Sequence, residues 1–185
     1  MIPSQAETYR LIRARRMPEH ILRHSLMVRR VALVIGTWLN TSDFYVNLAL
    51  VERASLLHDI CKADCIGNGH DHALLGKELL CREGFATVGD IVGQHVRLNT
   101  WEVGEAMVVN YADKRVMHDR VVSLNRRFLD LMDRYGTDEI RQERILLHHQ
   151  KCLQIQDILL KSCKVDLESL VNLNLIPCDE TLYGR

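Results

Sequence analysis

Only three prolines occur in this chain, at positions 3, 18 and 177, so residues 19–176 run without the one residue type that removes a helical hydrogen bond and clashes with the preceding turn. Within that span apolar side chains recur at helical spacing. His24, Met27, Val28, Val31, Val34 and Ile35 share one face, and Val46, Leu50, Ala54, Leu57 and His58 form the inner stripe of the next segment. No alternating pattern persists long enough for a strand, and there is neither an internal repeat nor a low-complexity linker. The expected fold class is all-α.

Local signals divide the span. Ser4 with Glu7 is a capping box for a first helix to about Arg16. Pro18 suits the first position of a second, running to about Leu39. Thr41-Ser42-Asp43 offers caps for a third, and Ile66-Gly67-Asn68-Gly69 reads as a loop. Further helices are expected from about His70 to Gly84, from a Thr87 cap through His95, over Glu102–Met117, over Ser123–Tyr135 and from Thr137-Asp138 to about Lys161. A short segment, Leu167–Leu175, precedes the Pro177 tail. Residues 1–136 are expected to form the principal domain, with 137–185 a helical extension packed on it.

Buried chemistry is concentrated at a few places. His58-Asp59 closes the apolar run Ala54-Ser55-Leu56-Leu57, His24 sits on the inner stripe of its helix, and Asp113 follows Val108-Val109-Asn110-Tyr111-Ala112. A carboxylate in such surroundings is costly without a hydrogen bond, an ion pair or a metal. His72 and His95 lie near helix ends. Four imidazoles and two carboxylates suit Fe, Mn, Co, Ni or Zn better than a purely oxygen-seeking ion.

These residues resemble the H…HD…D signature of the HD-domain metal-dependent phosphohydrolases. His24, His58-Asp59 and Asp113 stand in family order, 34 and 54 residues apart. Leu57-His58-Asp59-Ile60-Cys61-Lys62 is similar to the HDIGK-like motif, with cysteine where glycine is usual. His72-Ala73-Leu74-Leu75-Gly76 resembles the H-x-x-x-G element, Gln94-His95-Val96 the next histidine, and Tyr111-Ala112-Asp113-Lys114 the terminal motif. The likeness covers about residues 18–136 and implies an all-α helical bundle. It also implies that His24, His58, Asp59 and Asp113 bind a first divalent transition-metal ion. His72 and His95 match the positions that bind a second ion in the dinuclear subset, where Asp59 would bridge. The implied reaction is hydrolysis of a phosphoester or phosphoanhydride bond in a small nucleotide-type substrate by metal-activated water. Asp59 would orient the nucleophile, and Lys62, Lys114 and Arg115 would contact phosphate. An HD-type di-iron oxygenase and a non-catalytic metal- or nucleotide-binding helical module are the alternatives.

Other features read more plainly. The charge balance, Lys+Arg 24 against Asp+Glu 24, argues against holding polymeric nucleic acid by phosphate neutralisation. No apolar run approaches the roughly 20 residues that span a bilayer, and the N-terminus lacks a secretion h-region. A cytoplasmic location with free thiols is therefore expected for the six cysteines. Cys61, Cys65, His70 and His72 offer a rival zinc set with atypical spacing. His148 and His149, on a long polar helix, are expected to be exposed, and His20 and His118 peripheral. Arg13, Arg15 and Arg16 read as a solvated face, and the bases Arg115, Arg120, Arg126 and Arg127 as offset by local acids. A homodimer through the terminal helix is a further expectation.

Overall fold

Helix α2 (Glu19–Asn40) is the spine of the molecule, with Val28, Val31, Ala32, Ile35 and Leu39 all fully buried along one stripe. The computed structural model describes residues 1–67 and 69–175. Asn68 of the expected loop and the tail carrying Pro177 and Cys178 lie outside the described residues. Before the spine comes α1 (Gln5–Ala14), whose capping box forms as expected: Glu7 N donates to Ser4 Oγ and Ser4 N donates to Glu7 Oε2. Then follow α3 (Leu48–Leu57), α4 (Lys62–Cys65), α5 (His72–Arg82), α6 (Ala86–Val92) and α7 (Glu105–Lys114). After a β-hairpin, β1 (Val116–Met117) and β2 (Arg120–Val121), come α8 (Leu124–Tyr135), α9 (Glu139–Cys163) and a 3-10 helix (Leu167–Leu175). The fold is all-α apart from that ribbon.

The spine packs on α3 and α7, α5 packs on α6, and α9 packs on α8 and α7. One close approach is made possible by glycine. A Cβ built on Gly76 of α5 would lie 2.9 Å from Val92 Cγ1 of α6, so only glycine lets these two helices meet at this distance. The same approach brings His72, the first residue of α5, to His95, just beyond α6. Gly84 ends α5 at φ +87, a left-handed conformation that glycine adopts without steric cost.

Several boundaries differ from expectation, each for a local reason. Thr41 ends α2 instead of opening α3, because its N–H still bonds to Thr37 and Trp38 carbonyls. The cap of α3 is Asn47, whose side chain accepts from the N–H groups of Ala49 and Leu50. Pro18 is the residue before α2, not its first turn. Thr87 lies inside α6, which ends at Val92, so His95 stands in the following turn. The expected helix over 102–117 is shorter, starting after the extended Gly104 and ending where Val116 pairs with Val121. Two-residue strands carry too little alternation to be legible. Among the described residues, no helix is long and apolar enough to cross a membrane.

Candidate metal centre

The centre is assembled from helix ends. His58 is the C-cap of α3 and Asp59 the next residue; Asp113 is near the end of α7, and His24 is one turn into α2. Helix ends suit this task because the chain turns there, so side chains converge without a continuous helical face. His58, Asp59, His95, Asp113 and His24 are all buried, at 0%, 1%, 1%, 6% and 7% exposure, while His72 is half-buried.

Three of the imidazoles are fixed by backbone carbonyls. His24 Nδ1 lies 2.8 Å from His118 O, His58 Nδ1 lies 2.8 Å from Ser55 O, and His95 Nδ1 lies 2.7 Å from Val92 O. A carbonyl can only accept, so each Nδ1 carries the proton and each Nε2 presents a lone pair to the centre when the ring is neutral. Such tethering is how metal-binding histidines are oriented by their surroundings. Asn110 adds support from α7, its Nδ2 donating at 2.9 Å to the carbonyls of both Gln94 and His95.

The Nε2 atoms face the carboxylates. His24 Nε2 is 2.9 Å from Asp113 Oδ1, and His58 Nε2 is 3.3 Å from Asp59 Oδ2 and 3.7 Å from Asp113 Oδ1. The other oxygen of Asp59 looks away from that group: Oδ1 is 3.3 Å from His72 Nε2 and 3.6 Å from His95 Nε2. His72 Nε2 and His95 Nε2 are themselves 3.1 Å apart. His58 Nε2 and Asp59 Oδ1 are buried atoms with no hydrogen-bond partner within the protein. Orphaned buried atoms are rare in native proteins and call for a ligand.

The charges agree with that reading. Burial opposes a charged His58, yet Asp59 and Asp113 outweigh it and push its pKa up to about 9. Burial alone would raise the two acids, but the His58 charge holds Asp59, and Lys114 with the histidines holds Asp113, well below the carboxylate range. Burial lowers His95, which keeps it available as a neutral donor. A pocket that stabilises positive charge on an imidazole will do so for a divalent cation. The tethered rings, the orphaned atoms and the mixed N/O donor set therefore fit such an ion.

Beside the centre opens a cleft of about 420 Å³, whose lining includes His24, Asp59 and Lys62 together with Arg23, His118, Asp119, Arg127, Arg134 and Tyr135. Lys62 Nζ lies 2.6 Å from Asp59 Oδ2. Lys114 is buried behind the ligands, bonded to Asp113 Oδ2 and, at 3.3 Å, to His95 O. Arg115 is a correction: its side chain is fully buried and committed to Tyr111 Oη, Leu167 O and Val122 O, so it cross-links the core and does not reach the cleft. His20 and His118, expected to be peripheral, both line the cleft. Arg127, read in the sequence as offset by acids, is buried in the wall. Its spacing with Asp130 and Arg134 on α8 was the signal available for this part of the lining. His148 and His149 are half-buried against Phe128, not exposed, with ring centroids 5.4 and 4.5 Å from it. Among the described residues, the groupings able to hold a metal consist of histidine and aspartate only, and His72 faces Asp59, not Cys61 or Cys65.

Comparison with curated proteins and with solved structures gives no match. A family model for the HD domain matches residues 19–138, more than half of the chain and a span that holds every one of the six converging residues. The chain belongs to the HD-domain family.

Proposed function

We propose that this protein is a metal-dependent phosphohydrolase that cleaves a phosphoester or phosphoanhydride bond of a small, nucleotide-type substrate. Its family consists mostly of metal-dependent hydrolases. The observation that carries the finer reading is Lys62: its ammonium stands against Asp59, at the point where the cleft meets the converging donors. A phosphoryl group bound to a cation held by those donors would meet this ammonium directly.

His24, His58, Asp59 and Asp113 would hold one divalent ion, and Asp59, His72 and His95 a second, with Asp59 using a different oxygen toward each set. Bound there, Fe, Mn, Co, Ni or Zn supplies Lewis-acid chemistry, acidifying water and neutralising phosphoryl oxygens. The residues do the rest. Asp59 accepts a hydrogen bond from the attacking water and directs its oxygen toward phosphorus. Lys62 donates to a non-bridging oxygen as negative charge builds in the transition state. The P–O bond to the leaving group breaks, and the proton lost by water ends on the leaving oxygen. The buried walls of the centre keep bulk water from competing for these contacts.

The di-iron oxygenase reading differs in requiring two irons and oxygen uptake with an organic substrate, whereas the cations lining the cleft, Lys62, Arg23, Arg127 and Arg134, are those that phosphate hydrolysis uses. Lys62→Ala should lower kcat about 10²–10³-fold with metal content unchanged, the cost of removing one transition-state donor. Unaltered phosphate release by that variant would overturn the role given to Lys62.

A further inference from the structure

Besides Asp59 and Lys62, the cleft is lined among the described residues by three arginines, Arg23, Arg127 and Arg134, against one further carboxylate, Asp119. Arg127 Nη1 lies 3.1 Å from Asp130 Oδ2, and Arg134 Nη2 bonds to that same oxygen, so one carboxylate serves two guanidinium groups. Arg127 is 9% exposed, and its Nε is buried with no hydrogen-bond partner in the protein. Guanidinium groups on a helix surface satisfy their N–H groups with water, so a buried one at the edge of a cavity marks a place for an acceptor. Lys62 and Arg127 line the same opening, so its cations are not confined to the metal centre. Of the two lining carboxylates among the described residues, Asp59 already faces His58, His72, His95 and Lys62, which leaves Asp119 beside the arginines. A simple helical ion pair would need neither the burial of Arg127 nor the second arginine.

We propose that Arg127 and Arg134 form a second anion subsite, so that the substrate carries a further phosphate beyond the one held at the metal centre. The fork of a guanidinium matches two phosphate oxygens at once, and Asp130 fixes both forks in orientation while leaving N–H groups of each free to bind. A substrate with a single phosphate would leave Arg127 Nε without an acceptor. The class selected is a diphosphate or polyphosphate, or a compound bearing two phosphates in close succession. This rests on the phosphohydrolase reading only for which end of the substrate is cleaved.

Binding of two stable probes to the metal-loaded full chain, methylphosphonate and methylenediphosphonate, separates the two questions by calorimetry, because neither requires turnover. The expected result is a preference of about tenfold or more for the diphosphonate. Arg134→Gln, at an exposed position, and Arg127→Lys should each shrink that preference while leaving methylphosphonate affinity and metal content as in the unaltered protein. Equal affinity for the two probes, or a preference that survives both substitutions and so comes from the metal centre alone, would overturn the subsite. Failure to release phosphate from any substrate would count against the proposed activity and leave this result standing.

Discussion

His24 Nδ1 lies 2.8 Å from the carbonyl oxygen of His118, a contact that ties the first candidate ligand to the turn of the β-hairpin. His118 holds φ 56, left-handed for a residue with a side chain. The hairpin is short, yet it sets the angle at which one imidazole enters the centre.

A β-branched residue at that turn should therefore disturb a ligand it does not replace. His118→Val costs about 1–2 kcal/mol in left-handed strain. By moving the carbonyl it should weaken metal affinity about 10–100-fold, the usual effect of losing a ligand's supporting partner. His118→Asn tolerates the conformation and keeps the carbonyl, so its affinity should stay near that of the unaltered protein. Competition with a chromogenic chelator measures both; equal affinities would detach the hairpin from the centre.

Gly76→Ala puts a Cβ 2.9 Å from Val92 Cγ1 and forces α5 and α6 apart. Overpacking of this kind costs about 1–3 kcal/mol, more than the gain of about 1 kcal/mol in helix propensity. Adding Val92→Ala relieves the clash, so denaturant unfolding of the four proteins in this cycle should give a coupling of at least about 0.5 kcal/mol. Strict additivity would mean that the helices adjust without strain.

Much of this was legible in the chain because it depends on short-range pattern. The sparse prolines and the 3.6-residue stripe through Val28, Val31 and Ile35 specify an all-α core, and His58-Asp59 stands out as charge ending an apolar run. What was illegible depends on contacts between distant segments. Arg115 looks like its neighbour Lys114 in sequence, and only the return of Leu167 against it converts the guanidinium into a core cross-link. Arg127 lies outside every motif, and only the folded chain brings it to the cleft that Lys62 also lines. The hairpin at 116–121 has no pattern long enough to read, although it orients His24.

His148 gives a pH dependence that can be isolated. Burial, aided by the nearby Lys114 charge, lowers its pKa from 6.5 to about 4. Above 6.5 the ring is neutral in both folded and unfolded chains. As pH falls from 6.5 towards 4 the unfolded chain takes up a proton that the folded protein refuses, so stability declines across that window. His148→Gln should flatten the decline without abolishing the further loss at lower pH, where the depressed Asp59 and Asp113 are protonated. Urea titrations at intervals between pH 4 and 7 measure the slope, and an unchanged slope would contradict the burial assigned to this ring.

The most direct test of the central claim is hydrolysis in ¹⁸O-labelled water by protein prepared without a metal-affinity tag and analysed for bound metal. The expected result is two divalent transition-metal ions per chain and release of phosphate carrying the label. Both the phosphate and the ions should be lost in Asp59→Ala, with a folded circular dichroism spectrum retained. Unlabelled phosphate, equal turnover after complete removal of metal, or a fully loaded protein that releases no phosphate from mononucleotides, dinucleoside polyphosphates or cyclic dinucleotides would contradict it.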